Sequence, residues 1–106
     1  MLGIEIPPGW EVTPIYRRCQ LAGFFCVQGN EIHCYRAEQF KGAWLTRQDL
    51  ERLTRPLFKR YGYLRTKVRT PNAQGHRFVK RLGFVETGRA HGMTYYEAER
   101  LNHARL

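Results

Sequence analysis

The chain has 106 residues, 42% hydrophobic and 13% aromatic, with 18 Lys and Arg against 9 Asp and Glu for a net charge of +9. This is globular rather than disordered composition, enough for a single domain over residues 1–106 with one modest core. There is no serine and only one aspartate, Asp49, so a Ser-His-Asp hydrolase is excluded and carboxylate-rich two-metal chemistry is disfavoured.

The first predicted strand is Trp10 to Tyr16, entered through a Pro7-Pro8-Gly9 turn. Leu21 to Gln28, rich in aromatics and valine, is the second. Gly29-Asn30 is a two-residue hairpin signal, and Glu31 to Arg36 returns as the third strand. Alternation places Ile32 and Cys34 on one face of it, and Glu31, His33 and Tyr35 on the other. After the turn-like Gln39 to Trp44, the stripe Leu50, Leu53, Leu57, Tyr61 predicts a helix from Leu45 to Tyr61. Pro56 should kink or divide that helix, and Gly62 should close it.

Tyr63 to Arg69 is β-like, and Pro71 ends it. Asn72 is a good N-cap for a helix running to Leu82. Phe78 and Leu82 share a face of that helix, with Val79 beside Phe78. Gly83 suits the left-handed C′ position, with Phe84 folding back over the last turn. Glu86 to Gly88 leaves a strand, Arg89 to Gly92 turns, and Met93 to Glu99 returns; the tail Leu101 to Leu106 reads as frayed. The order β, β-hairpin, α, β, α, β-hairpin implies an α/β (α+β) fold: one mixed, mostly antiparallel sheet with two main helices.

Basic residues concentrate between Arg47 and Arg81. They form either a solvated basic face or a surface for phosphorylated ligands or nucleic acid. Three cysteines, Cys19, Cys26 and Cys34, without a signal-peptide pattern, suggest free thiols in a cytoplasmic protein, serving as small core residues. No ligand spacing points to a metal, and no apolar run approaches the roughly 20 residues of a membrane span.

The strand, Asn72-capped helix and Leu82-Gly83-Phe84 exit resemble the C-terminal half of the Gcn5-related N-acetyltransferase (GNAT) superfamily. Between the third strand and the Leu50 helix, Gln39-Phe40-Lys41-Gly42-Ala43-Trp44 is similar to the family's Arg/Gln-x-x-Gly-x-Gly/Ala loop. The resemblance covers roughly Ala22 to Glu99 and implies a GNAT-like fold, shortened at its N-terminus, with acetyl-CoA as cofactor. It implies that Gln39, Lys41, Gly42 and Ala43 bind the cofactor's pyrophosphate at a helix N-terminus and that Asn72 contacts its pantetheine arm. A backbone amide at His33 or Cys34 would polarise the thioester carbonyl. Candidate bases for the acceptor amine are Glu31, His33 and Glu38, with His33 best placed in intrinsic pKa.

Two residues depart from the pattern. Trp44 stands where a small residue lets backbone approach phosphate. Val79 stands where many members carry a proton-donating tyrosine, leaving Tyr95, Tyr96 or Cys34 as substitutes. Three functions follow: an N-acetyltransferase acting on a small-molecule or peptide amine, an inactive GNAT-fold interaction protein of phage or prophage type, and a nucleic-acid binder. Acceptor contacts supplied by a second subunit would make a homodimer.

Overall fold

A computed structural model describes residues 8–102. Six strands form one sheet in the order β1-β2-β3-β4-β6-β5. The strands are β1 (Glu11–Arg17), β2 (Gln20–Gln28), β3 (Glu31–Arg36), β4 (Leu64–Arg69), β5 (Val85–Ala90) and β6 (Met93–Ala98). Helix α1 (Arg47–Tyr61) joins β3 to β4, and α2 (Ala73–Arg81) joins β4 to β5. The mixed, mostly antiparallel sheet with two helices is the architecture expected from the sequence. Every neighbouring pair is antiparallel except β3 and β4.

Both helical crossovers link parallel strands and move the same way across the sheet. Right-handed connections then lay both helices on one face. Burial agrees: Leu64, Thr66 and Val68 of β4 are buried, while Arg65 and Arg69 are exposed. Their antiparallel partners Ala98, Tyr96 and Thr94 are buried on the same side. Leu50 of α1, Val79 of α2 and the α2 C-cap residue Leu82 join this core with Ile15, Phe25 and Ile32.

Local chemistry explains the helix ends. Thr46 caps α1 by accepting from the Asp49 N–H at 3.1 Å, and the Asp49 carboxylate accepts from the Thr46 N–H at 3.2 Å. The helix therefore starts at Arg47 rather than Leu45, whose side chain is buried. Gly62 ends it in the left-handed region (φ 81°), as expected. Pro56 does not divide α1. Pro56 and Arg52 both lie on the exposed side, so the carbonyl freed by the missing N–H meets water.

Asn72 caps α2, its side chain accepting from the Gly75 N–H at 3.0 Å. At the other end Phe84 N–H donates to Val79 O (3.0 Å) and Gly83 N–H to Lys80 O (3.1 Å), with Gly83 at φ 103°. These are the two bonds of a Schellman cap. Leu101 is buried and Asn102 N–H donates to Leu82 O at 2.7 Å, so this part of the tail is docked rather than frayed. His76 ties α2 down: its ring nitrogens lie 2.6 Å from the Tyr96 hydroxyl and 2.8 Å from the Thr70 carbonyl. The carbonyl can only accept, so Nε2 carries the proton and Nδ1 accepts from Tyr96 when the ring is neutral.

Three two-residue turns join the hairpins. Gly29 (φ 60°) takes the turn anticipated at Gly29-Asn30. His91-Gly92, at φ 53° and 76°, makes the β5–β6 turn, so β5 runs on to Ala90 instead of turning at Arg89. Arg18-Cys19 makes the β1–β2 turn at φ 54° and 62° with no glycine or asparagine. Cys19 is consequently exposed rather than a core residue.

Side chains in the left-handed region cost on the order of 1 kcal/mol each. Replacing Arg18→Asn and Cys19→Gly together should raise stability by about 1 kcal/mol. Urea denaturation measures it; an unchanged or lowered midpoint would show that the turn holds no such strain.

Candidate functional site

Strands β3 and β4 run parallel, but their register contains a single pair, Glu31↔Arg65. Arg65 N–H donates to Asn30 O at 2.9 Å, and the buried Thr66 hydroxyl donates to Ile32 O at 2.6 Å. Beyond this clasp the strands part. Half the backbone groups of β3 point away from β2, and half those of β4 away from β6. Past Glu31 and Arg65, those edges face each other across a gap with no strand ladder between them.

The gap is a cleft of about 580 Å³ lined by side chains from both faces of the sheet. On the helical side its wall includes Cys34, Val68, Asn72, Gly75, Phe78 and Val79. On the other side stand Trp10, Glu31, His33, Tyr35, Lys67 and Arg69. Gly75 is required for the close approach of α2. A Cβ there would lie 2.7 Å from Asn72 Nδ2 and 2.8 Å from Val68 Cγ1.

Glu31 and His33, neighbours on one face of β3, form a pair with Oε2 2.7 Å from Nε2. Both are largely shielded, their side chains 16% and 15% exposed. Lys67 Nζ lies 3.9 Å and Arg65 Nε 4.0 Å from the same carboxylate. The His33 ring packs edge-on against Trp10 at 5.1 Å and stacks on Tyr35 at 6.2 Å. If Nε2–H donates to Glu31, Nδ1 of the neutral ring is left as an acceptor.

Two acids in the cleft are held neutral. Burial, reinforced by Cys26, pushes the Cys34 thiol up to about 12. Burial, then Cys26, Cys34 and Glu31, raises the Tyr35 phenol above its usual value. A thiol at about 12 is a weaker acid than an ordinary alkyl thiol at about 8.5, so Cys34 is a poor proton donor to a departing thiolate. The other substitutes stand elsewhere. The Tyr96 hydroxyl is tied to His76, and Tyr95 lies on the exposed face of β6; neither lines the cleft.

Asn72, Cys34, His33 and Glu31 thus come together. Gln39, Lys41, Gly42 and Ala43 do not reach the cleft wall; they form an exposed segment leading to α1, and Glu38 is exposed in the turn before them. Among the described residues the N–H groups of Lys41, Gly42, Ala43 and Trp44 find no acceptor. Trp44 turns its indole onto β2, over Gly23, where a Cβ has no room. The helix does not follow the loop at once, because Leu45 and Thr46 intervene. Its first turn already carries the Asp49 carboxylate, paired with Arg17 and Arg52.

Sequence reading missed Trp10, Thr66, Lys67 and Arg69 as wall residues, and Tyr35 as more than a facing position. The alternation Glu31-His33-Tyr35 against Arg65-Lys67-Arg69 was the available signal. Among the described residues no three His, Cys, Asp or Glu side chains gather as a metal site, and no helix is long and apolar enough to cross a membrane.

The neutral Cys34 thiol has a kinetic signature. Below pH 11 its alkylation by iodoacetamide should rise about tenfold per pH unit without a plateau, because only the thiolate reacts. Exposed Cys19 should react far faster at pH 7. Mass spectrometry after timed labelling reads both, and rapid Cys34 labelling at pH 7 would contradict the assignment.

The sequence matches no protein-family model and no curated protein. Its structure is similar to solved structures, two of them described as acetyltransferases. The ribosomal-protein-alanine N-acetyltransferase from Brucella melitensis aligns at TM-score 0.66 with 19% identity, over 85% of this chain and 68% of that one. A probable acetyltransferase aligns at TM-score 0.69 with 16% identity, over 86% and 61%. The Pyrococcus horikoshii OT3 protein PH1933 aligns at TM-score 0.66 with 16% identity, over 82% and 62%. The chain thus spans only about three fifths to two thirds of these proteins. At such identity the likeness concerns the fold: the chain has the fold of the Gcn5-related N-acetyltransferases.

Proposed function

We propose that the protein is an acetyl-CoA-dependent N-acetyltransferase that transfers its acyl group directly to the amine of a small molecule or peptide. The observation that carries the reading is the two-faced cleft between β3 and β4 beside the Asn72-capped helix.

Acetyl-CoA would supply an acyl group activated as a thioester. The residues present fit such a molecule in part. Unladdered edges of β3 and β4 can bind an amide-bearing arm as an added strand would be bound. Asn72 Nδ2 is left to donate, since its oxygen is used by Gly75. The N–H groups of Gly42 and Ala43, with Gln39 and the Lys41 ammonium, suit phosphate oxygens. A backbone amide at Cys34 serves as donor to the reacting carbonyl. His33, oriented by Glu31, takes a proton from the acceptor amine at Nδ1. Cys34 and Tyr35, both held neutral and both weaker acids than an ordinary thiol, leave solvent to return the proton to the thiolate, a good leaving group. Phe78 and Val79 exclude water from the helical side.

A second reading, a GNAT-fold interaction protein without catalysis, is favoured by Val79 and by Asp49. An anion at the α1 N-terminus would meet a carboxylate already there. Binding of acetyl-CoA with no free thiol released to any amine would point to it.

At a hundredfold excess over Kd, a ligand stabilises by about 2.7 kcal/mol, several degrees of Tm for a domain this small. Acetyl-CoA should produce that shift, and Lys41→Glu should remove most of it. His33→Ala should keep the shift while lowering thiol release by about 10²–10⁴. No thermal shift at millimolar acetyl-CoA would sink the reading.

A further inference from the structure

The wall of the cleft opposite the helices is asymmetric in charge. Successive outward positions of β4 carry Arg65, Lys67 and Arg69, about 7 Å apart at each step. Arg65 is offset by Glu31 and by Glu97, its cross-strand partner. Lys67 shares Glu31 with His33 and Arg65. Arg69 has no carboxylate within ion-pair distance among the described residues, yet it lines the cleft. One carboxylate therefore faces two cations on the cleft wall, and the guanidinium fork of Arg69 is unspent.

Resting on the acetyltransferase reading, we propose that the acceptor is an amine bearing a carboxylate close to its nitrogen, with Lys67 and Arg69 binding the carboxylate while His33 faces the amine. The planar fork of Arg69 matches a carboxylate in bidentate geometry, and Lys67 adds a mobile point charge. His33 on β3 and the two cations on β4 flank the same opening, so one small molecule spans them. Both cations look away from the helices, whereas the 39–44 segment runs into α1 on the helical face. Polyamines, aminoglycosides and lysine-rich peptides would bring like charge onto this wall and are disfavoured.

The test uses C-terminally amidated tripeptides Ala-Asp-Ala, Ala-Ala-Ala and Ala-Lys-Ala, with free aspartate as a separate arm, at saturating acetyl-CoA. The expected order of kcat/KM for thiol release is aspartyl over alanyl by at least tenfold, with the lysyl peptide lowest. The advantage should shrink with added NaCl and fall to near unity in Arg69→Gln and Lys67→Gln. Those variants should retain the acetyl-CoA thermal shift, which also shows that they are folded. Preference for the aspartyl peptide assigns a peptide N-terminus; preference for free aspartate assigns an amino acid.

Calorimetric titration of the same four probes reads the anion site without turnover. Acidic probes binding without any acetyl-CoA shift would leave the anion site standing and remove the transfer reading. An acetyl-CoA shift with no charge preference in turnover or binding, or with a preference for the lysyl peptide, overturns the anion site alone.

Discussion

The constraint on which the rest depends is the brevity of the parallel contact between β3 and β4. One register pair and one buried threonine hydroxyl hold the two strands together. Had the ladder continued, Cys34 and Val68 would sit inside a closed sheet with every backbone group satisfied. Because it stops, two strand edges are left with unspent donors and acceptors. Such edges are costly unless water or a ligand meets them. The cleft is therefore a property of the topology as much as of the side chains around it.

A gap through a sheet is lined from two faces. One wall lies under α2, where Gly75 lets the helix come down onto Val68 and Asn72 sets its start. The other lies on the face without a described helix, among Glu31, His33, Tyr35, Lys67 and Arg69. Two reactants held at the two walls would meet in the middle, a geometry suited to direct transfer between them. The two residues that depart from the acetyltransferase pattern sit on the helical side: Val79 with no proton to give, and Trp44 with its indole against Gly23. The opposite wall keeps its titratable groups. Electrostatics thus separates a largely neutral wall from a charged one.

Much of this was readable from the chain because local rules dominate it. Asn72, Gly83 and Phe84 announce their cap chemistry within a few residues, and Gly29 announces its turn. The β1–β2 turn was not readable, since Arg18 and Cys19 occupy left-handed backbone that neither residue favours; strand pairing on either side imposes it. Pro56 misled in the other direction, because a proline on the exposed side of a helix leaves only a solvated carbonyl. Within the site, Asn72 was visible from capping, and Glu31, His33 and Cys34 came from the family resemblance, with alternation only placing them on the faces of β3. Lys67, Arg69 and Thr66 were not, because their importance comes from a contact between strands 34 residues apart. Gln39, Lys41, Gly42 and Ala43 were chosen by motif, and their exposed backbone suits an anion better than it suits the cleft itself.

That 34-residue separation also orders the assembly of the molecule. The β1-β2-β3 meander and the β5–β6 hairpin close through short turns, so each can form early from local contacts. The seam between the two halves requires α1 to be in place and a long loop to close. Like the β4–β6 pairing, which reaches the same separation at Leu64↔Ala98, it needs long-range closure, and unlike that ladder it is held by few hydrogen bonds. By the same reasoning it is the first place where the native sheet opens locally, at far less cost than global unfolding. A site at such a seam can widen to admit a ligand arm and tighten once the arm bridges both edges, so occupancy itself would stitch the two halves of the sheet into one.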